Sequence, residues 1–351
     1  MKNADPLVVV WRVTERCNLQ CPFCAYDRRL DIPRREADPS EIRRFAELLS
    51  QWSATMHRPV LLSWLGGEPL LWQPLADLTR YCSNELQLRL STTTNGSTLH
   101  RPEVQSHLHE HYAELTVSVD GPAAIHDRLR GRAGLSDRIR NGLRALTSLK
   151  RLTGHGPLLR ANVVLMRATL PTFPDLCTTL ADWGIEEITC NQLGGLDRPE
   201  FYPENRLLPD QVSWLVDQWP GLESSLADRG VRLLGGPAYL QRLVLTAQGR
   251  RLPVADCLPG RTFWFIDEQG RLAPCSFTPE NYGLPIADLH SVADLLALPE
   301  RFSLARTCHR AVACEDCHST QVFAKFTTSP TSPKGLRVGR EELKAAGNCM
   351  T

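Results

Sequence analysis

The sequence lacks an apolar run long enough to cross a membrane, and it lacks a secretory signal at its start. Asp5 and Pro6 stand where a signal peptide needs an unbroken apolar stretch. The net charge is only +1, so the chain also lacks the positive field that polyanions attract. We therefore expect a cytoplasmic protein that has neither nucleic acid nor a membrane as its partner.

The chain has no internal repeat of the solenoid type and no low-complexity domain. Its 351 residues can bury a large core and are enough for one α/β barrel and a smaller module. What it has in excess is cysteine, with 12 residues. In a reducing compartment, clustered cysteines indicate metal binding or redox work before disulfides.

Short β-branched runs alternate with amphipathic stretches through the first two-thirds of the chain. This alternation predicts six βα units around a parallel sheet, hence an α/β fold. The predicted strands are 8–13, 60–65, 86–91, 114–119, 159–165 and 187–191. The predicted helices between them are 39–52, 73–82, 102–110, 135–151 and 172–183.

The alternation ends in a loop rich in glycine and proline at residues 194–206. Two helices are predicted after it, at residues 209–217 and 237–246, and cysteine-rich short strands follow from residue 256. We therefore divide the chain into a partial barrel, a helical bridge, a cysteine-rich domain and a flexible tail. Their predicted ranges are 1–206, 207–255, 256–326 and 327–351.

Three cysteines follow the first predicted strand closely, in the run Cys17-Asn-Leu-Gln-Cys21-Pro-Phe-Cys24. Chemistry in α/β barrels sits at this carboxyl-terminal edge of the strands. Three thiolates bind three irons of a [4Fe–4S] cluster and leave the fourth iron open to a substrate. The alternative is a zinc knuckle, but structural zinc takes four ligands, and the nearest further candidate is Asp27, with no histidine close by.

This cysteine spacing, with the aromatic Phe23 before the third cysteine, resembles the signature of the radical S-adenosylmethionine (SAM) superfamily. The resemblance implies a partial (β/α)6 TIM-like barrel in which SAM chelates the open iron. It also implies that reductive cleavage of SAM gives a 5′-deoxyadenosyl radical, which abstracts hydrogen from the substrate.

Later loops carry motifs similar to those of the same superfamily. Gly66-Gly-Glu-Pro69 is similar to its GGEP motif, although these residues on their own would more often form only a tight turn. Asp120 sits in a block similar to SxDGP…HDxxR, where it either faces the substrate and ribose or only forms a turn. The SAM-binding residues implied by the resemblance are Phe23, Tyr26, Gly66, Gly67, Glu68, Pro69, Thr94, Asn95, Ser118, Arg130, Val164 and Gln192.

Half of the cysteines lie after the barrel. A hairpin turning at residues 267–270 is predicted to bring Cys257 near Cys275, and Cys314 and Cys317 form a second pair. Four thiolates in two pairs suit a zinc ribbon or an iron–sulfur cluster. The spacing resembles the SPASM and twitch extensions of radical SAM enzymes, which implies one auxiliary [4Fe–4S] cluster held by these four residues.

The cysteines after the barrel are fewer than a full SPASM domain has, which puts a complete second auxiliary cluster in doubt. Cys308 and Cys349 are left as ligands of an incomplete second cluster, as hydrogen-atom donors in catalysis, or as ordinary thiols. Cys82, Cys177 and Cys190 have no cysteine at ligand spacing, so we interpret them as buried core thiols.

The resemblance implies an oxidation, bond formation or epimerisation of a peptide or a small molecule, with an electron donor such as flavodoxin or ferredoxin. Sixteen residues before Cys17 leave no room for the N-terminal peptide-binding domain of many peptide-maturing members. This favours a small molecule such as a sugar or aminocyclitol, or a peptide delivered by a separate recognition protein. The non-enzymatic alternative is a zinc-binding scaffold.

Overall fold

The computed structural model describes residues 5–195, 197–323 and 325–326. Its strands are β1 (Leu7–Thr14), β2 (Val60–Gly66), β3 (Arg89–Thr94), β4 (Glu114–Ser118), β5 (Leu158–Leu165), β6 (Glu187–Gln192), β7 (Arg232–Leu234), β8 (Phe263–Ile266), β9 (Arg271–Ala273) and β10 (Leu284–Pro285). Its helices are α1 (Pro39–Met56), α2 (Leu75–Arg80), α3 (Pro102–His111), α4 (Ala123–Arg130), α5 (Leu135–Thr153), α6 (Phe173–Asp182), α7 (Tyr202–Asn205), α8 (Pro209–Ala227), α9 (Pro237–Ala247), α10 (Pro279–Tyr282) and α11 (Val292–Cys308).

The strands form one sheet in the order β10-β9-β8-β1-β2-β3-β4-β5-β6-β7. Neighbours from β8 through β1 to β7 are parallel, whereas β9 and β10 are antiparallel. Within the described residues the order ends at β7 without a return to β10, so the barrel is open. The α/β class predicted from the sequence is confirmed. Since the strands are parallel, the loops after β1 to β7 all leave from one edge.

Helix α1 shows how the outer layer packs. Its start is defined by Asp38, whose carboxylate accepts a hydrogen bond from Ser40 N at 2.8 Å, and by Pro39 at the first helical position. Its apolar stripe is buried, and Phe45 meets Trp11 of β1 edge to face with ring centroids 5.8 Å apart. None of the described helices is both long and apolar enough to span a membrane.

Several elements differ from the sequence-based expectation, among them α8, which ends ten residues later than predicted, and α11, which was not predicted. Three further differences have a clear local reason. Strand β3 starts three residues later than predicted, because a π turn after α2 uses residues 81–85 and the chain reverses at Gln87, whose φ is 54°. Strand β7 was not predicted, because three residues are too short to show alternation. Helix α4 was missed because its buried residues are His126 and Arg130, not an apolar stripe.

The predicted hairpin is present but belongs to the barrel sheet. Strands β8 and β9 are joined by a turn in which Gly270 has φ 73° and donates its N–H to Asp267 O at 3.0 Å. Strand β8 also runs parallel to β1, with Val9 opposite Trp264. The cysteine-rich module is therefore continuous with the sheet. The tail at residues 327–351 lies outside the described residues.

Candidate functional site

Three cysteines lie together in the loop after β1. Cys21 is buried and Cys17 and Cys24 are half-buried, all as free thiols. Burial raises the pKa of each thiol, that of Cys21 to about 12, and the proximity of the three groups raises the pKa values of Cys21 and Cys24 further. A bound metal deprotonates such thiols. The loop therefore gathers three sulfur donors in a site partly shielded from water.

Each of these sulfurs receives one N–H donor from a different residue. The pairs are Asn95 Nδ2 with Cys17 Sγ at 3.6 Å, Tyr26 N with Cys24 Sγ at 3.4 Å, and Arg130 Nη1 with Cys21 Sγ at 3.8 Å. Hydrogen bonds to cysteine sulfurs stabilise negative charge there and tune the potentials of iron–sulfur clusters. This donor set fits three thiolate ligands of one cluster.

The cysteine loop is anchored by Asp27. Its carboxylate is 2% exposed and pairs with Arg29 at 2.6 Å and with Arg198 at 3.1 Å. The hydrogen bonds from Arg29 lower the pKa of Asp27 to about 2, against the opposing effect of burial. Both oxygens of this carboxylate accept hydrogen bonds from guanidinium groups. Asp27 therefore positions the loop and does not act as a spare fourth ligand for zinc.

Glu68 connects the loops that follow β2 and β3. Its fully buried Oε1 accepts hydrogen bonds from Leu70 N at 3.1 Å and Thr94 Oγ1 at 2.7 Å, and its Oε2 accepts one from Asn95 N at 2.6 Å. Burial raises the pKa of Glu68 to about 7. This carboxylate holds Asn95 beside Cys17. The contact of Glu68 with SAM stays a prediction.

Gly66 and Gly67 bring the loop after β2 against the loop after β1. A Cβ on Gly66 would lie 2.2 Å from Thr14 O, and one on Gly67 would lie 2.2 Å from Arg16 O. Gly67 N donates to Thr14 O at 2.8 Å, and Glu68 N donates to Arg16 O at 2.9 Å. Only glycine permits this approach. Pro69 follows, buried at the start of a 3-10 turn.

Asp120 and Arg130 form a buried ion pair. Arg130 Nε and Nη2 each lie 2.7 Å from Asp120 Oδ2, and Asp120 Oδ1 accepts from Val164 N at 3.0 Å. Burial opposes the charge of Arg130, but Asp120 and the Cys21 thiol outweigh it and raise its pKa. This carboxylate is 0% exposed, and its contact with the substrate or the ribose stays a prediction. It positions Arg130 over Cys21.

A cavity, here called the central cavity, lies between the barrel strands and the cysteine-rich module. Three residues predicted to bind SAM line it, namely Phe23, Val164 and Gln192. On the module side it is lined by Phe277 and His318, among others. The Gln192 amide donates to Thr246 Oγ1 at 2.8 Å, and the Phe23 ring lies 5.3 Å from the Arg130 guanidinium.

Two other predicted SAM residues lie at the same edge of the sheet. Ser118 is the last residue of β4 and pairs with Asn162 of β5. The Tyr26 hydroxyl accepts a hydrogen bond from Arg12 Nη1 at 3.0 Å, and burial raises the pKa of Tyr26 to about 12. The SAM contacts of both residues stay predictions.

The four cysteines predicted to bind an auxiliary cluster line a second cavity, in the module itself. They are half-buried free thiols, namely Cys257, Cys275, Cys314 and Cys317. Burial raises the pKa of Cys317 to about 11, and the other three thiols add to this rise. The structure therefore brings all four together. Among the described residues, no three His, Cys, Asp or Glu side chains are arranged to hold a single metal ion.

The roles of the other two C-terminal cysteines, Cys308 and Cys349, stay predictions. Cys308 is the last residue of α11, which begins at a capping box formed by Ser291 and Asp294. Cys349 lies outside the described residues. Cys82, Cys177 and Cys190 are 0% exposed in the core, as interpreted from the sequence.

Arg12, which was not predicted from the sequence, connects the cysteine loop to the hairpin. Arg12 Nε donates to Glu268 Oε2 at 2.6 Å, and its Nη1 reaches Tyr26 as described above. Glu268 lies in the turn after β8, far from β1 in sequence but adjacent to it in the sheet. The only signal for Arg12 in the sequence is its position on the interior face of β1. Its partner Glu268 cannot be predicted without knowing that β8 pairs with β1.

Comparisons with known proteins support this description. Residues 11–160 match the model of the radical SAM superfamily. The AdoMet-dependent heme synthase of Methanosarcina barkeri (strain Fusaro / DSM 804) is 26% identical over 308 residues, covering 80% of this chain and 79% of the relative. The PqqA peptide cyclase of Bradyrhizobium diazoefficiens is 23% identical over 327 residues, covering 90% and 80%. A shorter match, 32% identical to a Fe-coproporphyrin III synthase of the same Methanosarcina strain, spans 34% of that relative.

A solved structure shares the fold. SuiB of Streptococcus suis bound to S-adenosylmethionine aligns with a TM-score of 0.64 and 17% identity over 91% of this chain and 72% of that one. Fold and site together define an α/β partial-barrel enzyme with an iron–sulfur centre. The chain contains a radical SAM domain, followed by a cysteine-rich C-terminal extension of the SPASM or twitch type. The predicted cofactors, a [4Fe–4S] cluster, SAM and an auxiliary cluster, are confirmed as those of this class.

Proposed function

We propose that Cys17, Cys21 and Cys24 hold the catalytic [4Fe–4S] cluster of this enzyme. The observation that carries the proposal is that each of the three sulfurs has its own N–H donor. When bound, the cluster supplies the electron that cleaves SAM to a 5′-deoxyadenosyl radical. The chain's own contribution is to fix the loop through Asp27, to orient Asn95 through Glu68, and to place the cation of Arg130 beside Cys21.

The central cavity is the proposed site for SAM and substrate. Phe23, Val164 and Gln192 lie on its barrel side, where the resemblance assigns the adenine and ribose contacts. The cysteine-rich module covers the opposite side of the cavity, so that a radical formed inside is shielded from water. Shielding favours reaction with the intended C–H bond over side reactions.

The auxiliary cluster is proposed to bind to Cys257, Cys275, Cys314 and Cys317. Hydrogen-bonding groups lie close to two of these sulfurs. Thr278 Oγ1 is 3.3 Å from Cys275 Sγ, and the Tyr282 hydroxyl is 3.9 Å from Cys314 Sγ. Phe277 and His318 line both this cavity and the central one. A cluster bound to these four residues would serve to accept an electron from a substrate radical.

A peptide is the proposed substrate. One relative is named as a peptide cyclase, and the solved SuiB has also been seen bound to a precursor peptide, SuiA. The proposed partners are a flavodoxin or ferredoxin as electron donor and a separate peptide-recognition protein. A tetrapyrrole is the second candidate, because the heme synthase relative is 26% identical over most of both chains.

The test is anaerobic reconstitution followed by reduction in the presence of SAM. The wild type is expected to form 5′-deoxyadenosine, and the variant with alanine at Cys17, Cys21 and Cys24 is expected to form none. Cys82→Ala is the matched control, because this thiol is buried in the core. Fragmentation of SAM by the triple variant would contradict the proposal. Acetyl-Ala-Glu-Ala-amide and Fe-coproporphyrin III are then compared for stimulation of 5′-deoxyadenosine formation.

A further inference from the structure

A lysine from the C-terminal segment is buried inside the barrel. Lys325 is 2% exposed, although lysine almost always keeps its ammonium in water. Its Nζ donates to Asn191 Oδ1 at 2.6 Å and to Asn162 Oδ1 at 3.4 Å. It also lies 5.6 Å from the ring centre of Tyr239. The ammonium is therefore surrounded by neutral groups of β5, β6 and α9.

The acids closest along these strands are paired with other cations. Arg160 lies 3.0 Å from Glu114 and 2.5 Å from Glu187, and Glu187 also pairs with Arg232. Burial lowers the pKa of Lys325 to about 7, with Cys190 opposing this shift and the charge of Arg160 adding to it. No carboxylate of the described chain is among the groups that act on it. Lys325 is thus a buried cation without an anionic partner in the part of the chain described.

This cation lies directly behind the wall of the central cavity. Asn191 and Tyr239, two of its neighbours, both line that cavity. Residues 319–321, which precede Lys325 in the chain, line it too, and Lys325 N donates to Thr320 O at 3.1 Å. On the same wall lie Val164 and Gln192, the proposed SAM contacts. A substrate that fills the cavity is therefore separated from the ammonium by only one layer of side chains.

We propose that the ammonium of Lys325, held in place by the amide oxygens of Asn191 and Asn162, is an anion subsite that binds a carboxylate of the substrate. A buried ammonium flanked by neutral amides gains most from a ligand that brings the missing negative charge. This inference rests on the proposed function, in which the central cavity holds the substrate. A peptide can supply the carboxylate from its C-terminus or from an acidic side chain.

The test measures binding of short peptides to the reconstituted enzyme with SAM, by calorimetry under anaerobic conditions. One arm compares acetyl-trialanine with its C-terminal amide, and the other compares acetyl-Ala-Glu-Ala-amide with acetyl-Ala-Gln-Ala-amide. At least one acid is expected to bind tenfold or more tightly than its neutral counterpart. The arm that shows this preference indicates whether the carboxylate comes from the C-terminus of the peptide or from an acidic side chain. Equal binding of acid and amide in both arms would overturn the inference.

Variants locate the subsite. Lys325→Met is expected to abolish the preference for the acid, whereas Lys150→Met is expected to keep it, because Lys150 pairs with Glu186 at the surface. If Lys325→Met does not fold, carbodiimide coupling of the bound peptide to the wild-type enzyme tests whether Lys325 lies beside the carboxylate. It condenses the peptide carboxylate with the nearest amine to an amide, and mass spectrometry should find that amide on Lys325. A preference that survives in Lys325→Met, or an amide only on other lysines, would contradict the assignment.

Failure of this inference can be told from failure of the proposed function. Formation of 5′-deoxyadenosine is measured in the same wild-type samples. Its absence would contradict the radical SAM assignment of the three cysteines, whatever the peptides do. Its presence without any preference for the acid would contradict only the anion subsite.

Discussion

Asp120 and Arg130 are held together by contacts of 2.7 Å from one carboxylate oxygen to two nitrogens of the guanidinium. Asp120 follows β4 and Arg130 ends α4, so the pair fixes this helix against the sheet edge. The third nitrogen, Arg130 Nη1, points to Cys21 Sγ. A carboxylate that does not itself face the cavity thereby places a positive charge beside the candidate cluster site.

Removing Asp120 is therefore expected to be costly. In Asp120→Ala the guanidinium of Arg130 stays buried without its anion, and loss of one partner of a buried pair costs about 3–5 kcal/mol. Urea unfolding of the apo protein should show this loss. The iron content of the reconstituted variant should also fall, because Arg130 no longer has a fixed position over Cys21.

The control for this variant is Asp77→Ala. Asp77 pairs with Arg80 on the exposed side of α2, and such surface pairs contribute about 0–1 kcal/mol. If the two variants lost equal stability, the ion pair of Asp120 would not have the role described here.

Gly67→Ala tests the contact between the loops after β1 and β2. The new methyl group would overlap Arg16 O, so the two loops must separate, and such overpacking costs roughly 1–3 kcal/mol. We expect lower stability by urea unfolding and weaker iron retention. Gly221→Ala is the matched control, because nothing lies within 4 Å of its added Cβ inside α8, and alanine there should stabilise by up to about 1 kcal/mol. Equal behaviour of the two variants would refute the steric argument.

The sequence predicts the chemistry-bearing loops well, because their signal is local. Cysteine spacing, the glycine pair and the turn around Gly270 are encoded within a few residues, and the structure has each where it was expected. The partners of buried carboxylates are not local. Glu68 reaches Asn95, and Arg12 reaches Glu268 across 256 positions, so their roles depend on which strands become neighbours. The pairing of β8 with β1 is an example, because the residue pattern of neither segment predicts that the two strands are neighbours.

Cys275→Ala tests the auxiliary site separately from the catalytic one. Because each [4Fe–4S] cluster contains four irons, iron should fall from about eight to about four per chain after reconstitution. The matched control is Cys177→Ala, a core thiol with 0% exposure, which should keep the wild-type iron content. Formation of 5′-deoxyadenosine should persist in Cys275→Ala. Unchanged iron in this variant would remove Cys275 from the ligand set.

Lys325 is expected to make the free energy of unfolding depend on pH. Burial lowers its pKa from the usual 10.5 to about 7, with Arg160 acting in the same direction, Cys190 opposing and the Tyr239 ring packed against it. Between these two pH values the unfolded chain binds a proton that the folded chain lacks. The free energy of unfolding must then rise with pH, by about 1.4 kcal/mol per pH unit for one group. From pH 7.5 to 9.0 the apo wild type should gain roughly 2 kcal/mol relative to Lys325→Met in urea unfolding. Lys150→Met should follow the wild type across this range, and a Lys325→Met profile parallel to both would show that the ammonium is not desolvated as described.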